Sequence, residues 1–176
     1  SLRRTIRFVY LCRTTKPGEA ENPAPSETGN GPAASAPHGN ENTKDMPPIK
    51  IYKFGGASVR SAEGVENLAR IVAAEPARLL VIVSAMGKTT NALEEVLDRF
   101  MRNRSDEAIE LFAEIERYHR QIVRSLFADP SSVEARTEKL ASEVRELLRS
   151  ETCREDYDRW YDRIVSYGEL LSTVIV

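Results

Sequence analysis

The sequence predicts an α/β fold that is built on a parallel sheet and continued by a long helical segment. Two short apolar runs, at 49–54 and 79–83, have the length and composition of strands. A segment with helical spacing of apolar residues joins them, which makes a βαβ unit with parallel strands and a right-handed crossover. Each run is followed by a turn of glycine and small polar residues that leads into a helix, an arrangement typical of α/β ligand-binding proteins.

The βαβ unit is expected to begin with a strand at Ile49–Phe54. A helix follows at Ser61–Glu75, with Ser61 as its N-cap and Pro76 after its end. The continuous apolar run Leu79–Val83 is typical of a strand that is buried on both faces of a parallel sheet. The helix is expected to bury one face, which carries Val65, Leu68, Ala69, Ile71 and Val72.

The first turn, Lys53-Phe54-Gly55-Gly56, follows the first strand and leads through Ser58 into the helix. Glycine allows the backbone to approach an anion closely, and the free N–H groups at a helix start point towards such an anion. The lysine adds a positive charge beside them. The turn therefore predicts a phosphate site.

The second turn, Ser84–Asn91, follows the second strand and leads into a helix at Ala92–Arg102. Because the carboxyl ends of adjacent parallel strands meet at one edge of a sheet, we expect the two turns to lie side by side. Together with Lys53 they would form one anion-binding site.

Residues 105–165 are expected to form a helical insertion of three helices. The Asp129-Pro130 step predicts the break between the first two helices, and Trp160 in the third is expected in the core. His119 lacks metal-ligating partners at helical spacing and is expected to be a surface histidine. The last motif, Gly168–Thr173, places Glu169 at a helix start, where a carboxylate is favourable.

Residues 1–48 are predicted to be a disordered extension. They hold seven of the nine prolines and, from residue 17 onwards, almost no large apolar residue, so they cannot bury enough surface to fold. The first eighteen residues carry five basic side chains and no acidic one, which loosely resembles a transit peptide. The chain begins at Ser1, and Met46 would make a natural start. A mis-set gene start, upstream translation or added residues are therefore the alternatives to a targeting segment.

The composition is that of one globular domain, with 176 residues, 30% charged and 41% hydrophobic residues, and a net charge of -2. We expect a cytoplasmic protein. We expect no nucleic-acid partner, because the chain carries no surplus of basic residues. We also expect no membrane partner, because no apolar run approaches the roughly 20 residues that span a bilayer. Cys12 and Cys153 are expected to be free thiols.

Three motifs resemble those of the aspartokinases, within the amino acid kinase family. Lys53–Ser58 resembles the K-F-G-G-[TS]-S motif of that family, Val83–Asn91 its V-S-A-M-G-x-x-T-N turn, and Gly168–Ser172 its G-E-x-x-S helix start. They occur in the family's order, with a helical insertion between the second and the third. The resemblance covers residues 49–176 and implies the N-terminal part of a three-layer parallel-sheet, carbamate-kinase-like fold.

The function that this resemblance implies is transfer of a phosphoryl group from ATP to the β-carboxylate of L-aspartate, which forms 4-phospho-L-aspartate. This is the first step towards lysine, threonine and methionine. Mg²⁺ would be bound through the nucleotide rather than by a metal site of the protein, and the full-length protein is expected to be a homo-oligomer.

The resemblance also implies roles for individual residues. Lys53 resembles the catalytic lysine that contacts the ATP phosphates, and Glu169 resembles the acid that meets the amino group of the substrate. The other matched positions are Gly55, Gly56, Ser58 and Gly87 on the phosphate side, and Ser84 and Thr90 on the substrate side.

The sequence departs from the family pattern in two positions and in length. The family usually has Thr or Ser where Ala57 stands, and often Gly where Lys88 stands. Its nucleotide-binding half and regulatory domains have no counterpart in these residues. The resemblance therefore implies an N-terminal fragment, which we expect to be inactive alone.

Two other functions stay open. Acetylglutamate, glutamate and nucleotide monophosphate kinases share glycine-rich first turns, although Ser84–Asn91 and Glu169 favour an amino-acid substrate with a free amine. Alternatively, the helices of residues 105–165 form a non-catalytic interaction module, in which the two turns are mere connections.

Overall fold

The computed structural model describes residues 7–8, 49–150 and 156–176. The predicted order of strand, helix and strand is confirmed, and a helical segment follows. In chain order the elements are β1 (Arg7–Phe8), β2 (Ile49–Phe54), α1 (Ala62–Ala74), β3 (Arg78–Val83), α2 (Thr89–Met101), α3 (Ser105–Leu126), α4 (Ser131–Arg149), α5 (Tyr157–Val165) and α6 (Tyr167–Ile175).

The sheet is parallel, and its strand order is β1-β3-β2. Residues of β2 and β3 pair in a continuous register from Ile49 opposite Arg78 to Phe54 opposite Val83. The two strands therefore end at the same level, which brings the turns that follow them to one edge. Within the extension predicted to be disordered, Arg7–Phe8 forms a short strand beside β3. The rest of that prediction, and the two cysteines, lie outside the described residues.

The prediction that β3 is buried on both faces is wrong. Leu79, Val81 and Val83 are buried, but the residues between them are only half-buried. On the same open face of β2, Ile49 and Ile51 are 50% and 62% exposed. The reason is that the described helices pack on one face of the sheet, so the apolar run has a single covered side.

Helix α1 begins as expected, because the Ser61 hydroxyl accepts a hydrogen bond from the Gly64 N–H at 3.3 Å. Its buried face is narrower than predicted. Val65 and Leu68 are buried, whereas Ala69 and Ile71 are exposed, with Ile71 at 40%. Because α1 packs on β2 and β3, only those of its residues that point directly at the sheet are buried.

Two hydrophobic cores hold the described residues together. One lies between the sheet, α1 and the C-terminal half of α3. The other lies among α2, α3, α4 and α5, and in it the ring of Trp160 packs edge-on against Phe100 at 4.9 Å. Trp160 is therefore a core residue, as predicted. Because α3 contributes to both cores, it fixes the helical segment to the sheet.

His119 is not the surface residue that the sequence predicts. It is 2% exposed, and its Nδ1 lies 2.7 Å from the carbonyl oxygen of Ile115. Since a carbonyl only accepts, Nδ1 carries the proton and donates it. Burial lowers the pKa of His119, which favours the neutral form of the ring at pH 7. The charged residues around it in sequence hid its place on the inner face of α3.

Candidate functional site

The two turns meet at the carboxyl edge of the sheet. The N–H of Ser84 donates to the carbonyl oxygen of Phe54 at 3.0 Å, and the N–H of Gly87 donates to that of Gly56 at 2.9 Å. These bonds continue the pairing of β2 and β3 into the turns themselves. The expected juxtaposition of the two turns is thus present in the structure.

The two glycines of the first turn serve different purposes. A Cβ on Gly56 would lie 2.5 Å from the carbonyl oxygen of Ala85 and 2.9 Å from that of Gly87, so only glycine lets the turns approach this closely. A Cβ on Gly55 would have no atom within 4 Å. Gly55 is therefore open towards solvent and leaves its backbone accessible to a ligand.

The second turn presents the N-terminus of α2. Gly87 has a φ of +58°, in the left-handed region that glycine adopts without strain. Thr89 is buried, and its hydroxyl donates to the carbonyl oxygen of Met86 at 2.6 Å, which closes the turn. Among the described residues no side chain caps α2, and the N–H of Thr89 donates to the carbonyl oxygen of Met86 at 3.0 Å, so the N–H groups of Thr90 and Asn91 are the ones that can donate to an anion.

Lys53 is the last residue but one of β2 and pairs with Ile82 of β3. Its side chain is exposed, on the sheet face opposite to the buried residues of β3. Among the residues that the structure describes, no carboxylate forms an ion pair with it. Ser58 is likewise exposed, and its N–H donates to the carbonyl oxygen of Gly55 at 2.9 Å. The role of both side chains towards phosphate stays a prediction.

Glu169 stands in the first turn of α6, close to the second turn. Burial raises the pKa of its carboxyl, and the N–H groups of Glu169 itself and of Ala85 oppose this by hydrogen bonding to the carboxylate. The close packing depends on Gly168, where a Cβ would lie 2.9 Å from that of Ala85. The third motif is thereby brought against the second.

Ser84 and Thr90 are both half-buried in the second turn and at the start of α2. The structure therefore gathers Gly55, Gly56, Ser84, Gly87, Thr90 and Glu169 around one edge of the sheet. Glycines and hydroxyls lie on the side of β2 and β3, and a half-buried carboxylate lies on the side of α6. An anion bound by the turns and a cation bound by the carboxylate would be neighbours.

Sequence reasoning missed two residues that shape this site. A Cβ on Gly64 would lie 2.4 Å from the carbonyl oxygen of Ser58, so α1 packs directly on the first turn. From the sequence alone, Gly64 indicates only a small loss of stability in helix α1. Tyr118 of α3 donates from its hydroxyl to the carbonyl oxygen of Arg60 at 2.6 Å. A contact between residues 58 positions apart leaves no local signal in the sequence.

Two classes of site are absent from the described part of the chain. Residues 7–8, 49–150 and 156–176 contain no group of three or more His, Cys, Asp or Glu side chains that could hold a metal ion. In the same residues, no helix has the length and apolar character that crossing a membrane requires.

The chain is similar in sequence to known proteins. The profile of the amino acid kinase family matches residues 48–176. The chain is 37% identical over 131 residues to aspartokinase 1, chloroplastic, of Arabidopsis thaliana, which covers 71% of the chain and 22% of that protein. It is 31% identical over 126 residues to the aspartokinase of Chlamydia pneumoniae, which covers 72% of the chain and 26% of that protein.

A third relative, aspartokinase 2, chloroplastic, of Arabidopsis thaliana, is 32% identical over 127 residues, which covers 70% of the chain and 23% of the relative. The chain thus spans about a quarter or less of the length of these relatives.

Proposed function

The chain belongs to the amino acid kinase family, and from that premise we propose that it forms the phosphate-side and substrate-side part of an aspartate kinase. The observation that carries the proposal is the apposition of the two turns, joined by the 2.9 Å bond between Gly87 and Gly56, with Glu169 packed against the second turn. The reaction would supply a route to amino acids that derive from aspartate.

The proposed reaction is an in-line phosphoryl transfer. An oxygen of the β-carboxylate of L-aspartate attacks the γ-phosphorus of ATP, the bond to the bridging β,γ oxygen breaks, and ADP leaves. Such a transfer needs positioning and positive charge more than covalent help from the protein. Mg²⁺ would enter with the substrate, bound through the nucleotide rather than by a metal site of the protein, and would supply positive charge to the phosphates.

The residues of the turns provide both requirements. Gly55 and Gly87 expose backbone that can approach the transferring group, and the uncapped start of α2 donates N–H groups to its oxygens. Lys53, exposed and without an ion-pair partner among the described residues, would place its ammonium on the same oxygens. Ser58 would donate from the phosphate side.

The substrate side is formed by Glu169 with Ser84 and Thr90. The α-ammonium of aspartate would pair with the Glu169 carboxylate, and the hydroxyls would bind the substrate's carboxyl groups. Burial raises the pKa of Glu169, so its carboxylate holds its charge at a cost that a bound ammonium would offset. A substrate with a free amine is therefore favoured over one whose amine is acylated.

Replacement of Lys53 tests the proposal. In the protein encoded by the complete gene, we expect Lys53→Ala to lower kcat for aspartate-dependent ADP formation by about 100-fold or more, because a charge on the transferring phosphate is lost. Lys139→Ala, on the exposed surface of α4, is the matched control and should leave kcat unchanged. Wild-type kinetics in Lys53→Ala would refute the role of the lysine.

A substrate panel separates this function from its rivals. Turnover with L-aspartate and none with L-glutamate or N-acetyl-L-glutamate is the expected result. Turnover with one of the other acceptors would assign the chain to a related kinase. If neither ATP nor aspartate raises the melting temperature and no acceptor is phosphorylated, the turns are connections within an interaction module.

The compartment and the assembly are part of the proposal. We propose a cytoplasmic homo-oligomer, although the names of two relatives place those proteins in chloroplasts. A fluorescent fusion that carries residues 1–48, compared with one that begins at Met46, would show whether the extension directs the protein elsewhere.

A further inference from the structure

Tyr118 connects the helical segment to both turns of the site. Its hydroxyl donates to the carbonyl oxygen of Arg60, which lies just after the first turn, at 2.6 Å. The hydroxyl oxygen of Tyr118 also lies 2.8 Å from the position that a Cβ on Gly87 would occupy. One side chain of α3 thus contacts the end of the first turn and the left-handed glycine of the second.

Packing holds in place the helix that carries Tyr118. Before and after Tyr118 in sequence, α3 buries apolar side chains, namely Phe112, Ile115 and Ile122. The neighbouring ring of His119 packs edge-on against the tyrosine at 5.1 Å between centroids. A planar ring with only two rotatable bonds, held on a packed helix, sets the place of its hydroxyl closely.

We propose that Tyr118 is a positioning residue, which fixes the distance between the two phosphate turns by anchoring Arg60 and filling the space beside Gly87. This rests on the proposed function of the turns. It also gives the helical segment a part in the site, because α3 forms the wall against which both turns are held.

The hydroxyl suits this role in chemistry as well as in place. Burial raises the pKa of Tyr118, and the nearby Arg60 partly opposes this, so the hydroxyl keeps its proton at neutral pH and remains a donor. Its bond ends on a backbone carbonyl rather than on a mobile side chain, so it holds the course of the main chain.

The first experiment compares Tyr118→Phe with the wild type. Phosphoryl transfer is sensitive to misplacement on the scale of 1 Å, so we expect kcat to fall by about 10- to 100-fold while KM for aspartate changes by less than about threefold. Tyr161→Phe is the matched control, because Tyr161 of α5 donates from its hydroxyl to Glu94 at 2.8 Å and the variant should keep wild-type kinetics. A lower melting temperature with unchanged kcat would overturn the proposal.

A double-mutant cycle with Gly87→Ala tests the contact itself. The added methyl meets the Tyr118 hydroxyl in the wild-type background but not in Tyr118→Phe. We therefore expect the double variant to retain at least about fivefold more activity than the product of the two single losses predicts. Strict additivity would show that Tyr118 does not hold Gly87.

Hydrogen exchange separates this proposal from the proposed function. In Tyr118→Phe, the amides of residues 55–60 and 84–88 should exchange faster, and those of α4 should not. This result would stand even if the protein phosphorylated no amino acid. Unchanged exchange in the two turns would overturn the proposal even in an active aspartate kinase.

Discussion

The two ends of the β2–β3 sheet use the same residue types in opposite ways. At the amino end, Glu75 accepts hydrogen bonds from Lys50 at 3.0 Å, from Tyr52 at 2.5 Å and from the N–H of Ala77 at 3.1 Å. At the carboxyl end, Lys53 is exposed, and no described carboxylate pairs with it. A lysine that is paired contributes to stability, and a lysine that is left open can meet a ligand.

The two carboxylates show the same contrast. The bonds from Tyr52, from the backbone of Ala77 and from Lys50 lower the pKa of Glu75 from its ordinary 4.5 to about 2. Burial raises the pKa of Glu169. The protein therefore stabilises the charge of Glu75 through hydrogen bonds and destabilises the charge of Glu169 through burial, and a cation bound beside Glu169 would offset that cost.

The largest effect is expected from adding a methyl group at Gly56. Gly56→Ala brings its Cβ to 2.5 Å from the carbonyl oxygen of Ala85, and backbone cannot yield cheaply. We expect a loss of about 3 kcal/mol in the free energy of unfolding and of about 100-fold or more in kcat. Chemical denaturation and steady-state kinetics measure the two.

Gly55→Ala is the matched change in the same turn. Its Cβ would meet no atom within 4 Å, so the free energy of unfolding should change by less than about 0.5 kcal/mol. Its kcat/KM for ATP should nevertheless fall, because the methyl occupies the open side of the turn. If Gly55→Ala binds and turns over ATP normally, the anion does not lie against this glycine.

The next effect separates the two carboxylates. Glu169→Gln should raise KM for aspartate by about 10- to 100-fold, because a charge-assisted hydrogen bond to the α-ammonium is lost. It should leave the melting temperature unchanged or slightly higher, since a destabilised charge is removed. An unchanged KM for aspartate would show that Glu169 does not bind the substrate.

Glu75→Gln should do the reverse. It leaves the Lys50 ammonium and the Tyr52 hydroxyl without their anionic acceptor, so the melting temperature should fall by a few degrees, and kcat and KM should not change. A loss of activity in this variant, with the fold intact, would show that the two ends of the sheet are coupled.

The smallest effect is a pH dependence of stability. Because the folded pKa of Glu75 is lowered to about 2, its contribution is fully present above pH 4.5 and is lost as the pH falls from 4.5 towards 2. Melting curves of the wild type and Glu75→Gln should converge over this range. Glu169 acts with the opposite sign, since its raised pKa means that ionisation disfavours the folded state.

Much of the fold and part of the site could be predicted from local sequence. Ser61 marked the start of α1, the break at Asp129-Pro130 separated α3 from α4, and the glycine turns marked the carboxyl ends of β2 and β3. These features act over a few residues, where capping and turn chemistry have direct signatures.

The errors arose where burial depends on what packs from elsewhere in the chain. His119 lies in a charged stretch of sequence, yet its position on the helix places it on the inward face of α3. Ile71 lies in an apolar stretch, yet no described element covers it. Likewise, the run Leu79–Val83 is apolar throughout, but only one side of β3 meets helices. The local sequence pattern indicates which side chains are apolar enough to be buried, but not whether another element of the fold packs against them.

By itself, the sequence determined β2, β3, the helices and the two turns, because backbone preference and hydrophobic spacing are properties of neighbouring residues, and its three motifs carried the resemblance to the family. Only the tertiary structure decided that Gly56 lies against Gly87, that Glu169 reaches the N–H of Ala85, and that Tyr118 of α3 touches both turns. Those contacts join residues far apart in the chain, and their distances depend on how helices pack on the sheet.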